Sequence, residues 1–144
     1  ETVVGRGENA FDIYRRTCPV YQEEHSDIRR VEPYVYAQTV AARASYDEGA
    51  ARNSWLTGTA AWTFVNISQY ILGVKPTPAG LRIDPCLPGA LEEYSVRRRY
   101  RGAAYHIHVV QTGTYSLRVD GENVAGNLIP MKDGKKKYHV EVTV

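Results

Sequence analysis

Residues 53–73, NSWLTGTAAWTFVNISQYILG, contain no charged side chain, and their apolar positions recur at helical spacing. From 56 to 72 the repeat runs through Leu56, Ala60, Phe64, Ile67 and Ile71, with Ala61, Val65 and Leu72 widening the face. This predicts a buried helix of roughly 17 residues, about 25 Å long. Gly73 suits a left-handed residue just past its end, and Pro76 and Pro78 stop any continuation.

Ahead of it, the pattern gives a helix end, a turn at Gly5 and Gly7, and a second helix from about Glu8 that Pro19 closes. Residues 23–27, EEHSD, read as a polar loop. Glu32 precedes Pro33, which favours an extended Glu32 at a helix start. Tyr34, Val35, Ala37, Val40 and Ala41 then fit a short helix. The loop 45–52 leads into the central helix and suits the rim of an active site.

After Gly73 the period changes from helical to two. Residues 74–80, VKPTPAG, read as a linker. Alternating runs follow at 81–83, 94–101, 104–110, 115–119 and 138–144, with hairpin signals at Asp120-Gly121 and Asp133-Gly134. The chain is therefore predicted to be α+β: a helical part over 1–73, a linker over 74–80, and a small antiparallel β-sandwich domain over 81–144.

Composition adds few constraints. The 144 residues are 43% hydrophobic and 24% charged with net charge +2, as in ordinary globular proteins. Neither nucleic acid nor membrane is demanded as a partner. The cluster Arg97, Arg98, Arg99 and Arg101 is split between two faces by strand alternation, so no basic stripe emerges. Cys18 and Cys86 give neither a disulfide framework nor a metal spacing. His25 with its acidic neighbours, and His106 with His108 on one strand face, lack a full ligand set, so no metal is expected. A reduced cytoplasmic compartment is the simplest fit. A start at Glu1 without methionine suggests a piece of a longer protein.

The chemistry sits at the amino end of the central helix. Free N–H groups there carry partial positive charge, Gly58 permits close approach, and Ser54, Thr57 and Thr59 add hydroxyls. These are the ingredients of a phosphate site. Capping alone accounts for one of the hydroxyls, and helix packing for the glycine. Glu32 is either a buried carboxylate of a sugar pocket or a partner of the helix dipole. Tyr34 and Tyr36 suit sugar stacking or a helix interface.

The stretches VEPYVYAQ (31–38), RNSWLTGTAAWTFVNISQYILG (52–73) and GLRIDPCLP (80–88), with RRYRGAAYHIHV and NLIP further on, resemble the C-terminal part of the cellobiose phosphorylase family (glycoside hydrolase family 94 type). The likeness covers nearly the whole chain in one order. It implies the last helices of an (α/α)6 barrel followed by a jelly-roll-like domain. It also implies phosphate binding by Thr57 and Gly58; the residues around them add Ser54, Trp55, Thr59 and Glu32 as candidates behind that pair. The reaction implied is inverting phosphorolysis of a β-linked disaccharide or oligosaccharide such as cellobiose, cellodextrin, laminaribiose or chitobiose, giving a sugar 1-phosphate. Inorganic phosphate is the co-substrate, no cofactor is implied, and the full-length protein is expected to be a homodimer.

The family's general-acid aspartate lies in a DWND-type motif that this chain lacks, so the chain alone is expected to be inactive without the upstream barrel. Two other classes compete. A carbohydrate-binding or structural module would carry exposed aromatics on a sheet face, whereas Trp55 and Trp62 fall on the helix. A glucoamylase-like hydrolase would need a base carboxylate, for which Glu32 is the candidate.

Overall fold

The computed structural model describes residues 1–32 and 34–144, so Pro33 and the helix-start role expected of it lie outside the described residues. Helix α1 spans Gly7–Thr17, with Glu8 in its first turn and Arg15 and Arg16 in its last, the arrangement the helix dipole favours. It stops where expected: Cys18 is extended (φ −68°, ψ 125°), as a residue before proline prefers. The next segment is not a loop. Pro19–His25 winds as a 3-10 turn into α2, Ser26–Arg29, which a left-handed Arg30 closes.

The predicted short helix within 31–44 is replaced by a hairpin. Strand β1 (Ala37–Val40) pairs antiparallel with β2 (Ala51–Ser54), Thr39 opposite Arg52 and Val40 opposite Ala51. A short apolar run does not separate helix from strand by period alone, and here the returning segment supplies the pairing. The hairpin loop is closed by Ala41 N–H to Ala50 O (2.8 Å) and Gly49 N–H to Ala41 O (3.0 Å).

The central helix exists but begins later than its apolar pattern. Helix α3 spans Thr59–Val65 and continues as a π turn over Asn66–Ile71. Asn53 and Trp55 are left-handed (φ 55° and 69°), which excludes them from a right-handed helix. At the other end Leu72 N–H reaches five residues back to Ile67 O (2.8 Å), and Gly73 is left-handed (φ 67°). The expectation of a buried helix holds only at that end. Ile71 is fully buried, while Leu56, Trp62 and Phe64 are 75%, 76% and 62% exposed. Absence of charge marks a surface unsuited to water, not one that is already covered.

The remainder is a two-sheet sandwich with one correction to the expected antiparallel pairing. Residues 74–80 supply structure rather than a bare linker: β3 (Val74–Thr77) turns into β4 (Gly80–Ile83), which pairs with β9 (Leu128–Pro130). The second sheet has the order β5-β6-β10-β7-β8, where β5 is Glu93–Tyr100, β6 Ala103–Val110, β7 Ser116–Val119, β8 Glu122–Asn123 and β10 Lys137–Thr143. Strands β6 and β10 run parallel; the other pairs are antiparallel. Asp120-Gly121 makes the expected two-residue hairpin between β7 and β8, with both residues left-handed (φ 52° and 86°). Asp133-Gly134 turns the chain between different sheets and forms no hairpin.

Alternation puts Tyr105, Ile107, Val109, Tyr138, Val140 and Val142 on the inner face against Val74, Leu81, Ile83 and Ile129. Each fully buried aliphatic side chain contributes about 1.5–3 kcal/mol. Tyr105 and Tyr138 stack with ring centroids 4.5 Å apart, and burial pushes the Tyr105 phenol up to about 12. The helical part meets the sandwich at the end of α3. Cys86 N–H donates to Ile71 O (3.0 Å), the Tyr94 hydroxyl to Leu72 O (2.8 Å) and Asp84 N–H to Gly73 O (2.9 Å). Helix α1 joins the contact where Gly89 N–H donates to Glu8 Oε1.

Gly73 has no room for a side chain: a Cβ there would lie 2.2 Å from Pro85 N. Gly113 is also left-handed (φ 82°) but has nothing within 4 Å. Gly113→Ala should therefore cost only the backbone penalty, about 1–2 kcal/mol. Gly73→Ala should lose more than about 3 kcal/mol by urea unfolding, because strain and overlap add. Equal losses would show that the junction is loose.

Candidate functional site

The residues singled out by sequence fall into two small groups around the start of α3. In the first, Thr57 Oγ1 accepts the Thr59 N–H (3.1 Å) and lies 2.7 Å from Thr59 Oγ1. Thr57 thus turns the chain into the helix, while Gly58 sits exposed at the cap position in an ordinary right-handed conformation (φ −74°, ψ −7°). The first helical bond runs from Trp62 N–H to Gly58 O (3.0 Å). Donors earlier in the turn have no acceptor within the helix. Gly58 needs no special φ; what its missing side chain leaves is open backbone, with Trp62 the nearest neighbour to an added Cβ (3.4 Å).

The second group holds Glu32, Ser54 and Trp55. The Trp55 indole N–H donates to Glu32 Oε1 (3.0 Å). That bond, then Glu32's own backbone N–H and the Ser54 hydroxyl, hold the carboxyl below the usual carboxylate range. Tyr34 meets Trp55 edge-on at 6.2 Å. Left-handed Trp55 is what swings the indole back to Glu32, and Asn53, also left-handed, donates from Nδ2 to Gln38 Oε1 (2.9 Å). Glu32 is therefore a partner of tryptophan; of the two roles read from the sequence, the one at a helix N-terminus is not met, since no helix begins there among the described residues.

Thr59 also lines a cavity of about 480 Å³ with Arg16, His25, Arg29, Tyr36 and Glu48. Sequence reasoning missed this wall, because α1, α2 and β1 contribute it from positions far apart in the chain. Arg29 Nη2 donates to Val35 O (2.8 Å), which ties α2 to the approach of β1. Burial, above all, pushes the Tyr36 phenol up, and the Thr63 hydroxyl opposes it. In the rim loop, Ser45 Oγ donates to Asp47 Oδ1 (2.7 Å) and Arg52 pairs with Asp47, holding that carboxyl low. Among the described residues no three metal-ligating side chains converge, and none of the helices is long and apolar enough to cross a membrane. His108 is engaged with Glu93 (2.8 Å).

Residues 1–73 match the family model described as Glycosyl hydrolase 94 superfamily, catalytic domain, and residues 75–125 match Glycosyl hydrolase family 65, C-terminal domain. The chain is 37% identical to the N,N'-diacetylchitobiose phosphorylase of Vibrio proteolyticus, over 99% of this chain and 18% of that protein. It is 39% identical to the enzyme of the same name from Vibrio furnissii, over 86% of this chain and 16% of that protein. It is 35% identical to the solabiose phosphorylase of Paenibacillus borealis, over 99% and 19% respectively. The chain thus spans less than a fifth of the length of these curated relatives.

Trp55→Phe keeps an aromatic ring and removes the donor. Carbon-detected NMR titration of Glu32 in that variant should show its pKa rising toward the ordinary carboxylate range, since the ionised form loses its main stabilising bond. An unmoved titration would mean the indole bond is absent in solution.

Proposed function

The chain belongs to the glycosyl hydrolase 94 superfamily, and from that premise we propose that it is the C-terminal part of an inverting glycoside phosphorylase. The observation that carries the proposal is the open start of α3, where Gly58 is exposed and Thr59 borders a cavity. The relatives' names, disaccharide phosphorylases, point the same way. In this reading Thr57 and Gly58 hold inorganic phosphate, the co-substrate; no cofactor takes part.

The hydrogen bonds suggest how. Thr57 Oγ1 already accepts the Thr59 N–H. If the Thr59 hydroxyl donates to it as well, both lone pairs are occupied and the Thr57 proton is directed outward. That proton and the Gly58 N–H then meet a dianion at the positive end of the helix. Arg16 and Arg29, on the cavity wall, add positive charge. Held on the far face of the sugar, a phosphate oxygen forms its bond to the anomeric carbon as the glycosidic C–O bond breaks. The departing oxygen takes a proton from a carboxylic acid supplied by another part of the longer protein. A β linkage so cleaved gives an α-sugar 1-phosphate and a free sugar. Phosphate itself does the nucleophilic work that a hydrolase assigns to water activated by a second carboxylate.

The helices of 1–73 complete an (α/α)6 catalytic barrel in this reading, whose other helices cover Leu56, Trp62 and Phe64, and the sandwich is its jelly-roll-like companion. The substrate is a β-linked disaccharide or oligosaccharide, and the whole protein is a homodimer. Ser54 and Trp55 act by placing Glu32 beside the sugar pocket.

The test is made in the longer protein, following sugar release with and without phosphate. Release should require phosphate, and Thr57→Val should raise the KM for phosphate by roughly tenfold or more, the cost of one charged hydrogen bond. This chain alone should release no sugar. Phosphate-independent release would instead identify a hydrolase, with Glu32 as the candidate base.

A further inference from the structure

The outer face of the five-stranded sheet carries a charge pattern that the fold does not require. Side chains of β5, β6 and β10 alternate, so Arg97 and Arg99 point outward from β5, Ala104 and His106 from β6, and Lys137 and His139 from β10. Register sets these in two rows. Arg97, His106 and His139 lie abreast, and so do Arg99, Ala104 and Lys137. Five of the six are cationic or imidazole, and the sixth is small.

The acidic residues nearby are already occupied. Glu93 pairs with His108 (2.8 Å), Glu141 with Arg118 (3.3 Å), and Asp120 accepts from Lys135 and from the His139 N–H. A shallow depression of about 430 Å³ lies among Arg97, His106, His139 and their neighbours. The His106 and His139 rings stack at 5.6 Å.

We propose that this face, centred on Arg97, Arg99, His106, Lys137 and His139, docks an extended acidic segment of a partner polypeptide. Across β6, whose outward side chains here are Ala104 and His106, Arg97 and Arg99 form one wall and Lys137 and His139 the other. Charges along each wall are two residues apart, about 6.8 Å, the repeat at which carboxylates on one side of an extended chain recur. A compact anion would bridge only part of such an array. Single-stranded nucleic acid would seek aromatic platforms, and no Phe, Tyr or Trp stands at an outward position of β5, β6 or β10.

The groups facing His106 are Arg97 and Arg99 on β5, Lys137, His139 and Glu141 on β10, and His108 on its own strand. Partial burial first, then Lys137, Arg97 and His139, hold its imidazole below the ordinary range. A bound carboxylate reverses that repulsion and favours protonation, so docking takes up protons.

The test is fluorescence anisotropy of the whole chain with a labelled oligoglutamate of about ten residues, an extended length that overruns an eight-residue strand. At low salt it should bind, more tightly near pH 6 than pH 8, where glutamate stays ionised in both. Arg97→Glu combined with Lys137→Glu should weaken binding by roughly tenfold or more, as for lost charge contacts. If that variant does not fold, Arg97→Gln with Arg99→Gln carries the same expectation. Replacing His106 by Gln should reduce the gain at low pH. No binding, binding undiminished by the charge changes, or equal binding of an oligonucleotide of the same charge would overturn the assignment.

Discussion

The end of α3 governs how the rest of the chain sits. A helix leaves its last carbonyls without partners, and burying them unpaired costs about 1–3 kcal/mol each. Here successive carbonyls of Ile71, Leu72 and Gly73 are taken by Cys86 N–H, the Tyr94 hydroxyl and Asp84 N–H. All three donors belong to the sandwich side. The helix therefore ends only where the β-sheets meet it, and left-handed Gly73 is the residue that lets backbone pass so close to Asp84 and Pro85. Burial of the Tyr94 phenol, which drives its pKa upward, comes from the same contact.

Period-two alternation made the sandwich largely legible, because one face of each strand must be apolar to reach the common core. Tyr105, Ile107 and Val109 show this without ambiguity. The parallel pairing of β6 with β10 was not legible: alternation fixes which face is inward but says nothing of strand direction. The same limit explains Asp133-Gly134, whose turn chemistry is real but whose flanking strands belong to different sheets. In the helical part, Ala37–Val40 is too short for period to decide its state, and its partner Ala51–Ser54 was concealed inside what read as a loop and a helix start.

The candidate site was legible in composition but not in geometry. Thr57, Gly58 and Thr59 stood out because hydroxyls and glycine precede an apolar helix, and these three do form its entry. The bond between Trp55 and Glu32 depends on left-handed backbone at Trp55, a conformation that no propensity assigns to tryptophan. Arg16, Arg29 and Tyr36 were invisible as a group, since only folding brings α1, α2 and β1 to Thr59.

The two ends of α3 are treated in opposite ways. At its carboxyl end the carbonyls of Ile71, Leu72 and Gly73 are matched and Ile71 is sealed from water; at its amino end the donors ahead of the first helical bond, apart from the Thr59 N–H, have no acceptor within the helix and lie beside exposed Trp55, Leu56 and Trp62. Open donors in water hold an anion weakly, because water competes for both partners. The same donors in a dry site are far stronger. Apolar side chains around an unspent donor set are thus the means of drying it once their outer surfaces are covered. In the function proposed, the residues that look wasted on solvent and the residues that would bind phosphate serve one purpose. In that function Trp62 and Leu56 would set the strength of the contact that Thr57 and Gly58 make with phosphate.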